Sequence, residues 1–161
     1  MPWLPHVTVA AIVHKDGKFL MVEEFSKDSV NVTEHKLVIN QPAGHLEENE
    51  TLLQALERET YEETGWKVKP EALLGIRLFK AANKTTYLRV NFLATPIKKD
   101  ENAILDSDIA RVVWMTKEEI ASKKESLRSV LVSEAISLYD SGVRYPLSIV
   151  NSNLFLQIPT D

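Results

Sequence analysis

The sequence predicts an α+β domain, and three observations predict it. The run Val7 to Val13 (VTVAAIV) is apolar and rich in β-branched residues, as expected of a strand covered on both faces. The stretch from Thr51 to Gly65 carries helix signals at both ends, and the C-terminal third returns to helical spacing.

The elements follow in order along the chain. After the first strand, Asp16-Gly17 supplies a hairpin-type turn into a second strand, Lys18 to Val22. Phe25 to Glu34 is polar and reads as a loop, Lys36 to Asn40 as a short third strand, and Pro42-Ala43-Gly44 as a loop. Thr51 with Gln54 forms a capping box, and Gly65 stands where a left-handed residue ends a helix, with Trp66 expected to fold back onto Tyr61 or Thr60 in a Schellman ending.

Beyond Pro70, Ala72 to Phe79 and Thr86 to Thr95 read as strands. In the second, Leu88, Val90, Phe92 and Ala94 point to an apolar face, while Tyr87, Arg89, Asn91 and Leu93 point to a partly polar one. An acidic loop, Asp100 to Asp108, precedes a strand from Arg111 to Met115. Thr116 with Glu119 repeats the capping box, and Leu127, Val130, Leu131, Glu134, Ala135 and Leu138 form a mainly apolar stripe ending at Gly142. The segment from Val143 to Asp161 has no assignable element.

A chain of 161 residues falls within the range of one domain, and the expectation is one domain over 1–161, with its core at about 5–150. A net charge of −4 offers no uniform basic surface, so a long nucleic acid is not an expected partner. The absence of cysteine excludes disulfides, thiolate metal sites and thiol nucleophiles. No apolar run approaches the roughly 18 residues that span a bilayer, and the start of the chain lacks signal-peptide character. A cytoplasmic protein with no membrane partner, monomeric or a small homo-oligomer, is expected.

The chemistry is concentrated on the Thr51 helix. Glu59, Glu62 and Glu63 are spaced i, i+3 and i+4, which places three carboxylates in one sector beside Leu53, Leu56 and Thr60. Like charges at this spacing cost a few tenths of a kcal/mol even on an isolated helix. Hard divalent cations, which take oxygen ligands, offset such repulsion. Helical spacing by itself more often marks a solvated acidic face.

Gly44, Glu50, Arg58-Glu59, Glu62-Glu63 and Gly65 stand at the intervals G-x5-E-x7-R-E-U-x-E-E-x-G-U, in which U is a bulky aliphatic residue. Every fixed position matches; at the U positions Thr60 and Trp66 depart from it. In this pattern the chain resembles the Nudix hydrolase family. The segments PHVTVAAIVH, NQPAGHLE, DSDI and RYPL are similar to a subgroup of small bacterial Nudix phosphatases, and the similarity covers roughly residues 5 to 150.

The resemblance implies an α/β/α sandwich with a mixed sheet between helices, and a loop–helix–loop that holds Mg²⁺ or Mn²⁺. It implies that Glu59, Glu62 and Glu63 are catalytic metal ligands, joined by the Gly44 carbonyl. Gly44, Glu50, Arg58 and Gly65 become structural residues, with Glu50 and Arg58 a pair that orients the loop; the alternative for that pair is an ordinary surface salt bridge. Divalent ions neutralise the charge that shields a pyrophosphate from nucleophiles, and a carboxylate accepts the proton of the attacking water. Glu59 is the favoured base, with Asp106 and Asp108 as distal candidates.

Arg89, Arg128 and Gln41 are candidate substrate contacts; for Arg89 the alternative is an exposed strand arginine. His6, His14, His35 and His45 lack metal-ligand spacing and read as surface or loop residues, and Trp3 and Trp114 read as packing residues. The implied reaction is hydrolysis of a phosphoanhydride in a small phosphorylated metabolite. The subgroup implies release of phosphate from nucleoside di- or triphosphates and from thiamine-related pyrophosphates, namely hydroxymethylpyrimidine diphosphate and thiamine diphosphate. The alternatives are a nucleotide-sugar or dinucleotide pyrophosphatase, a non-catalytic ligand-binding module of the same fold, and an acidic protein-interaction domain.

Overall fold

A computed structural model describes residues 2–26 and 36–150 of the chain. The Val7–Val13 run lies within β1 (His6–Lys15), in which Val9 to Val13 are fully or almost fully buried. Asp16 (φ 50°) and Gly17 (φ 76°) both take left-handed conformations, the requirement of a tight hairpin turn, and lead into β2 (Lys18–Phe25). The loop expected at Phe25–Glu34 lies mostly outside the described residues, as does His35, and Phe25 itself closes β2. β3 (Leu37–Asn40) pairs antiparallel with β2.

The expected loop at Pro42-Ala43-Gly44 is in fact the entry to a short strand, β4 (Ala43–His45), paired antiparallel with Thr8–Ala10 of β1. One edge of β1 is thus shared, by β4 along its first half and by β2 at His14 and Lys15. The sheet separates between those two partners.

Helix α1 (Leu52–Thr64) has both hydrogen bonds of the capping box, and Gly65 ends it at φ 72°. The ending differs from a Schellman motif. Gly65 N–H donates to the Tyr61 carbonyl, while Trp66 N–H donates to Thr64 Oγ1, so this is the simpler single-bond left-handed cap. Trp66 packs edge-on against Trp114, at 5.7 Å between ring centroids, and lies against the core.

Strand β5 (Trp66–Lys80) begins directly after the helix and runs through Pro70, earlier than the expected Ala72 start. Proline lacks the ladder N–H, and it is tolerated here because β5 is an edge strand whose register shifts between Pro70 and Ala72. β6 (Thr86–Lys99) pairs antiparallel with β5 and parallel with β1, and β7 (Ile109–Met115) pairs antiparallel with β2. The sheet is therefore mixed, in the order β3-β2-β1-β6-β5, with β4 and β7 attached to β1 and β2.

Side chains of β1 alternate between two cores. Val9, Ala11 and Val13 face Ala55 and Leu56 of α1. Ile12 faces the other way, toward Ile120 of α2 (Lys117–Ser122) and Val132, Ala135 and Ile136 of α3 (Val130–Asp140). Helices thus cover both faces of the sheet.

The last helix corrects the expected stripe. It starts at Val130 with Ser129 as N-cap, so Leu127 and Arg128 precede it. The buried positions are Leu131, Val132, Ala135 and Ile136, whereas Val130 is 56% exposed. Trp3, expected to pack, is 69% exposed. No helix among the described residues is long and apolar enough to cross a membrane.

Candidate active site

The helical spacing of α1 brings Glu59, Glu62 and Glu63 to one side, but their surroundings separate them. Glu62 is the most exposed, Glu59 sits at the rim, and Glu63 is buried at 7% exposure. Carboxylate oxygens of Glu59, Glu62 and Asp106 all lie within 4.8 Å of one another. The gathered trio therefore contains Asp106 where the helix pattern placed Glu63.

Asp106 reaches this position because the acidic loop is tied to the end of α1. Asp106 N–H donates to the Glu62 carbonyl (3.0 Å), Asp100 N–H to the Gly65 carbonyl (2.9 Å), and Tyr61 Oη–H to Asp100 Oδ2 (2.7 Å). The first satisfies a carbonyl that the last turn of a helix leaves without a partner, and the other two pin the loop to the helix end. They also set the loop beside the glutamates.

Glu63 points inward, where its Oε2 accepts the Ala43 N–H at 3.0 Å. Burial pushes its carboxyl up to about 9; the Ala43 bond opposes this, and repulsion from Glu24, Glu59 and Asp106 adds to it. Burial also raises Glu59, against the pull of Arg58. Four acidic groups that repel one another in a half-buried cleft fit a divalent cation: the donors are all oxygen, the preference of Mg²⁺ and Mn²⁺.

Gly44 is required by close approach. A Cβ placed there would lie 2.0 Å from Glu59 Cδ, so only glycine lets the carboxylate rest against the β4 backbone. Arg58 organises the outer side. Its Nε and Nη2 grip the two oxygens of Glu50 at 3.0 and 2.7 Å, Nη2 also donates to the His45 carbonyl, and Nη1 reaches Glu59 at 2.9 Å and Glu62 at 3.1 Å. The guanidinium holds Glu50 below the usual carboxylate range, and Glu50 in turn accepts the Glu47 N–H. This bidentate, partly buried fork is more than an isolated surface pair. It fixes the loop between Gly44 and the helix and balances two of the clustered carboxylates.

Glu59 and Glu63 face an open cleft of about 860 Å³ whose other walls carry Arg89 and Arg128. The exposed-arginine alternative for Arg89 is overturned: it is 6% exposed, and its face of β6 is buried, with Asn91 at 2%. Arg89 Nη2 donates to Gln41 Oε1 (3.1 Å) and weakly to Asn40 Oδ1 (3.4 Å), while its buried Nε has no hydrogen-bond partner among the described residues. Burial lowers its pKa to about 10, which leaves it cationic at neutral pH.

Gln41 is placed differently from the expected substrate contact. It is 1% exposed, and its amide is engaged on both sides, by Arg89 and by the Val132 carbonyl (3.0 Å). It stands behind Arg89, outside the cleft lining. Arg128 sits before α3, where its N–H donates to the Ile39 carbonyl and its Nη1 reaches Glu24 Oε1 (3.2 Å). Glu24 also accepts from Asn40, so Arg89 and Arg128 are joined through Asn40 and Glu24.

Asp108 lines the cleft as well. The sequence reading passed over Glu24 and Asn40, whose only signal was a polar residue inside an otherwise apolar strand. It also passed over the ring group of His6, His45 and Tyr87, with centroids 5.5 to 6.1 Å apart. His14 packs against Phe19 and Tyr139.

Fold and cleft together define a class. Residues 4–133 match the NUDIX domain, and the chain belongs to the Nudix family, as a phosphoanhydride-hydrolysing enzyme of the pyrophosphohydrolase or phosphatase type. It is similar to Phosphatase NudJ of Escherichia coli strain K12 and of Shigella boydii serotype 4 (strain Sb227), each 44% identical over 146 residues, 91% of this chain and 90% of the relative. Among solved structures, a NUDIX hydrolase from Nitrosomonas europaea is 41% identical, with a TM-score of 0.87 over 93% of this chain and 98% of the other. The MutT protein from Methanosarcina mazei Go1, 19% identical, shares the fold at a TM-score of 0.69, covering 89% and 99% of the two chains.

Proposed function

We propose that this chain is a Mg²⁺- or Mn²⁺-dependent phosphatase that releases orthophosphate from nucleoside di- and triphosphates and from thiamine-related pyrophosphates, hydroxymethylpyrimidine diphosphate and thiamine diphosphate. The observation that carries the reading is the opposition, across one cleft, of the Glu59–Glu62–Asp106 oxygens and the buried Arg89 cation. The substrate range rests on the 44% identity to Phosphatase NudJ and on the subgroup resemblance of the sequence.

Glu59, Glu62 and Asp106 would hold the ion, with Glu63 and the Gly44 carbonyl as further donors. A divalent cation there supplies charge neutralisation for the diphosphate and acidifies water. The protein's own groups carry the remaining work. Arg89, fixed by Gln41 and Asn40 on the cleft wall, binds a phosphate oxygen through its guanidinium. Arg128 offers a second, more exposed cation at the rim, paired with Glu24. Glu59, whose proton affinity burial raises, accepts the proton as water attacks the terminal phosphorus; the bond from that phosphorus to the bridging oxygen breaks, and the shortened phosphate leaves with the electron pair.

The test is a phosphate-release screen with and without Mg²⁺ over nucleotides, nucleotide sugars, dinucleotides and thiamine-related diphosphates, identifying both products. Metal-dependent orthophosphate release is expected. Release of nucleoside monophosphate from nucleotide sugars or dinucleotides in its place would overturn the proposed cleavage. No metal-dependent release from any substrate would overturn the function.

A further inference from the structure

His6 and His45 stand 39 residues apart in the sequence, yet their rings meet, with His6 Nδ1 and His45 Nε2 3.4 Å apart. The strands bring them there. Thr8 of β1 is the register partner of His45 of β4, so His6, two residues before Thr8, lies diagonally across the ladder on the same face. His6 is also the parallel partner of Tyr87, whose ring packs against both imidazoles at 5.5 and 6.1 Å between centroids. The backbone is tied beside both residues: Leu46 N–H donates to the Val7 carbonyl at 3.0 Å, and the His45 carbonyl accepts from Arg58 Nη2 at 2.9 Å.

A nitrogen–nitrogen separation of 3.4 Å is long for a hydrogen bond, which ordinarily spans about 2.7–3.2 Å. It is the separation that a tetrahedral ion imposes. With metal–nitrogen bonds of about 2.0–2.1 Å, two imidazole ligands stand about 3.3–3.4 Å apart. Both rings are open to solvent. Whichever ring donates within the pair needs only to move its hydrogen to its other nitrogen, and two lone pairs then converge on one point with no proton released. Such donors select a different ion from the carboxylates: imidazole suits Zn²⁺, Ni²⁺ and Cu²⁺, whereas the oxygens of Glu59, Glu62 and Asp106 suit Mg²⁺ and Mn²⁺.

We infer that His6 Nδ1 and His45 Nε2 form a second metal site, a two-imidazole chelate for a transition-metal dication of the Zn²⁺ type, separate from the carboxylate cluster. Its remaining ligand positions fall to water. His45 lines the cleft that Glu59 and Arg89 also line, so those positions lie at the rim of the cleft. The chelate needs only the two rings on their paired strands, and it stands independently of the proposed reaction.

Titration of Zn²⁺ into the full chain, followed by calorimetry with Mg²⁺ saturating so that the carboxylates are occupied, tests this. One Zn²⁺ is expected to bind the unaltered protein. His6→Ala and His45→Ala should each weaken it by at least about 10-fold, the effect of losing even a supporting group at a metal site. His14→Gln should leave it unchanged, because the His14 ring packs elsewhere, against Phe19 and Tyr139. Nitrogen-15 spectra of the histidine rings identify the atoms, and His6 Nδ1 and His45 Nε2 are the two expected to shift on Zn²⁺ binding. Mn²⁺ binding to the carboxylates should be the same in both alanine variants, which keeps the two sites apart. No Zn²⁺ binding in the presence of Mg²⁺, or binding that survives in either alanine variant, would overturn the site. So would Zn²⁺ shifts confined to other ring nitrogens, or Zn²⁺ binding abolished by Asp106→Asn with both histidines intact.

Discussion

The Asp106 backbone N–H donates to the carbonyl of Glu62 at 3.0 Å, and that one bond carries a carboxylate from a distant loop into contact with the glutamate helix. The side chain of Asp106 then shares with Glu59 and Glu62 the space in which the proposed ion would be held. Asp106→Ala is expected to keep the fold, because the bond uses the backbone. Its apparent Mg²⁺ requirement should rise by at least about 10- to 100-fold, the effect of losing even a supporting group at a metal site. Metal titration of the initial rate checks this. Asp108→Ala, measured in parallel, should shift the requirement less, and a reversed order would remove Asp106 from the site.

Gly44 separates geometry from stability. A Cβ at this position meets the Glu59 carboxyl group at 2.0 to 2.2 Å, and the end of that flexible side chain is what must yield. Gly44→Ala is therefore expected to leave the melting temperature nearly unchanged while turnover falls about 100-fold, since a displacement of about 1 Å at a reacting group costs that much. Thermal unfolding and kcat measured on the same preparation give the answer. A large loss of stability with normal turnover would contradict the assigned contact.

The buried Glu63 makes the metal-free protein sensitive to pH. Burial raises its carboxyl to about 9 from the ordinary 4.5, so the folded state binds a proton that the unfolded state releases. The associated stability is full below pH 4.5 and is lost as pH rises from there through about 9. In the presence of EDTA, the melting temperature is therefore expected to fall across that window, and Glu63→Gln should flatten the decline. A melting temperature that rises with pH over this range, or a Gln variant with the same slope, would contradict the buried, protonated state.

In the proposed function Gln41 acts on the substrate through Arg89, whose guanidinium it holds. Gln41→Leu removes the acceptor for the guanidinium and the donor to the Val132 carbonyl, at a cost of about 1–3 kcal/mol for the groups left unpaired. The melting temperature should fall, and KM should rise more than kcat declines, because the loosened cation is a binding group. Arg89→Lys should raise KM in the same way with a smaller loss of stability, since an ammonium lacks the planar fork. A kcat defect with unchanged KM in both variants would place Arg89 elsewhere in the reaction.

Much of the fold was legible because its signals are local. The run at Val7–Val13, the Asp16-Gly17 turn, and the capping boxes at Thr51 and Thr116 each specify their element within a few residues. What the sequence hid depended on partners far along the chain. Ala43–His45 is a strand because β1 offers it an edge, and the strand that passes through Pro70 does so because it lies at the border of the sheet. The stripe of α3 was misphased because Val130 is apolar yet sits on the exposed side of the first turn.

The site divides in the same way. Gly44, Glu50, Arg58 and the glutamates stand at fixed intervals within one segment, and the Glu50–Arg58 pair that the family resemblance implies is present as a two-point fork. Asp106 entered only as one of two candidate distal bases in an acidic loop, and not as a metal ligand, since its anchor to Glu62 is a backbone bond that side-chain patterns do not encode. Arg89 was ambiguous because an alternating strand gives its polar face no depth; the approach of Asn40, Gln41 and the α3 entry buries it.

The central claim is that clustered carboxylates of α1 and the acidic loop bind a divalent cation. Titration of Mn²⁺ into EDTA-stripped protein, followed by the electron paramagnetic resonance signal of the free ion, measures this directly. Saturable binding is expected in the unaltered chain, strongly weakened in both Glu59→Gln and Asp106→Asn variants that retain their fold. Undiminished Mn²⁺ binding in those variants, or no saturable binding in the unaltered chain, would contradict the account.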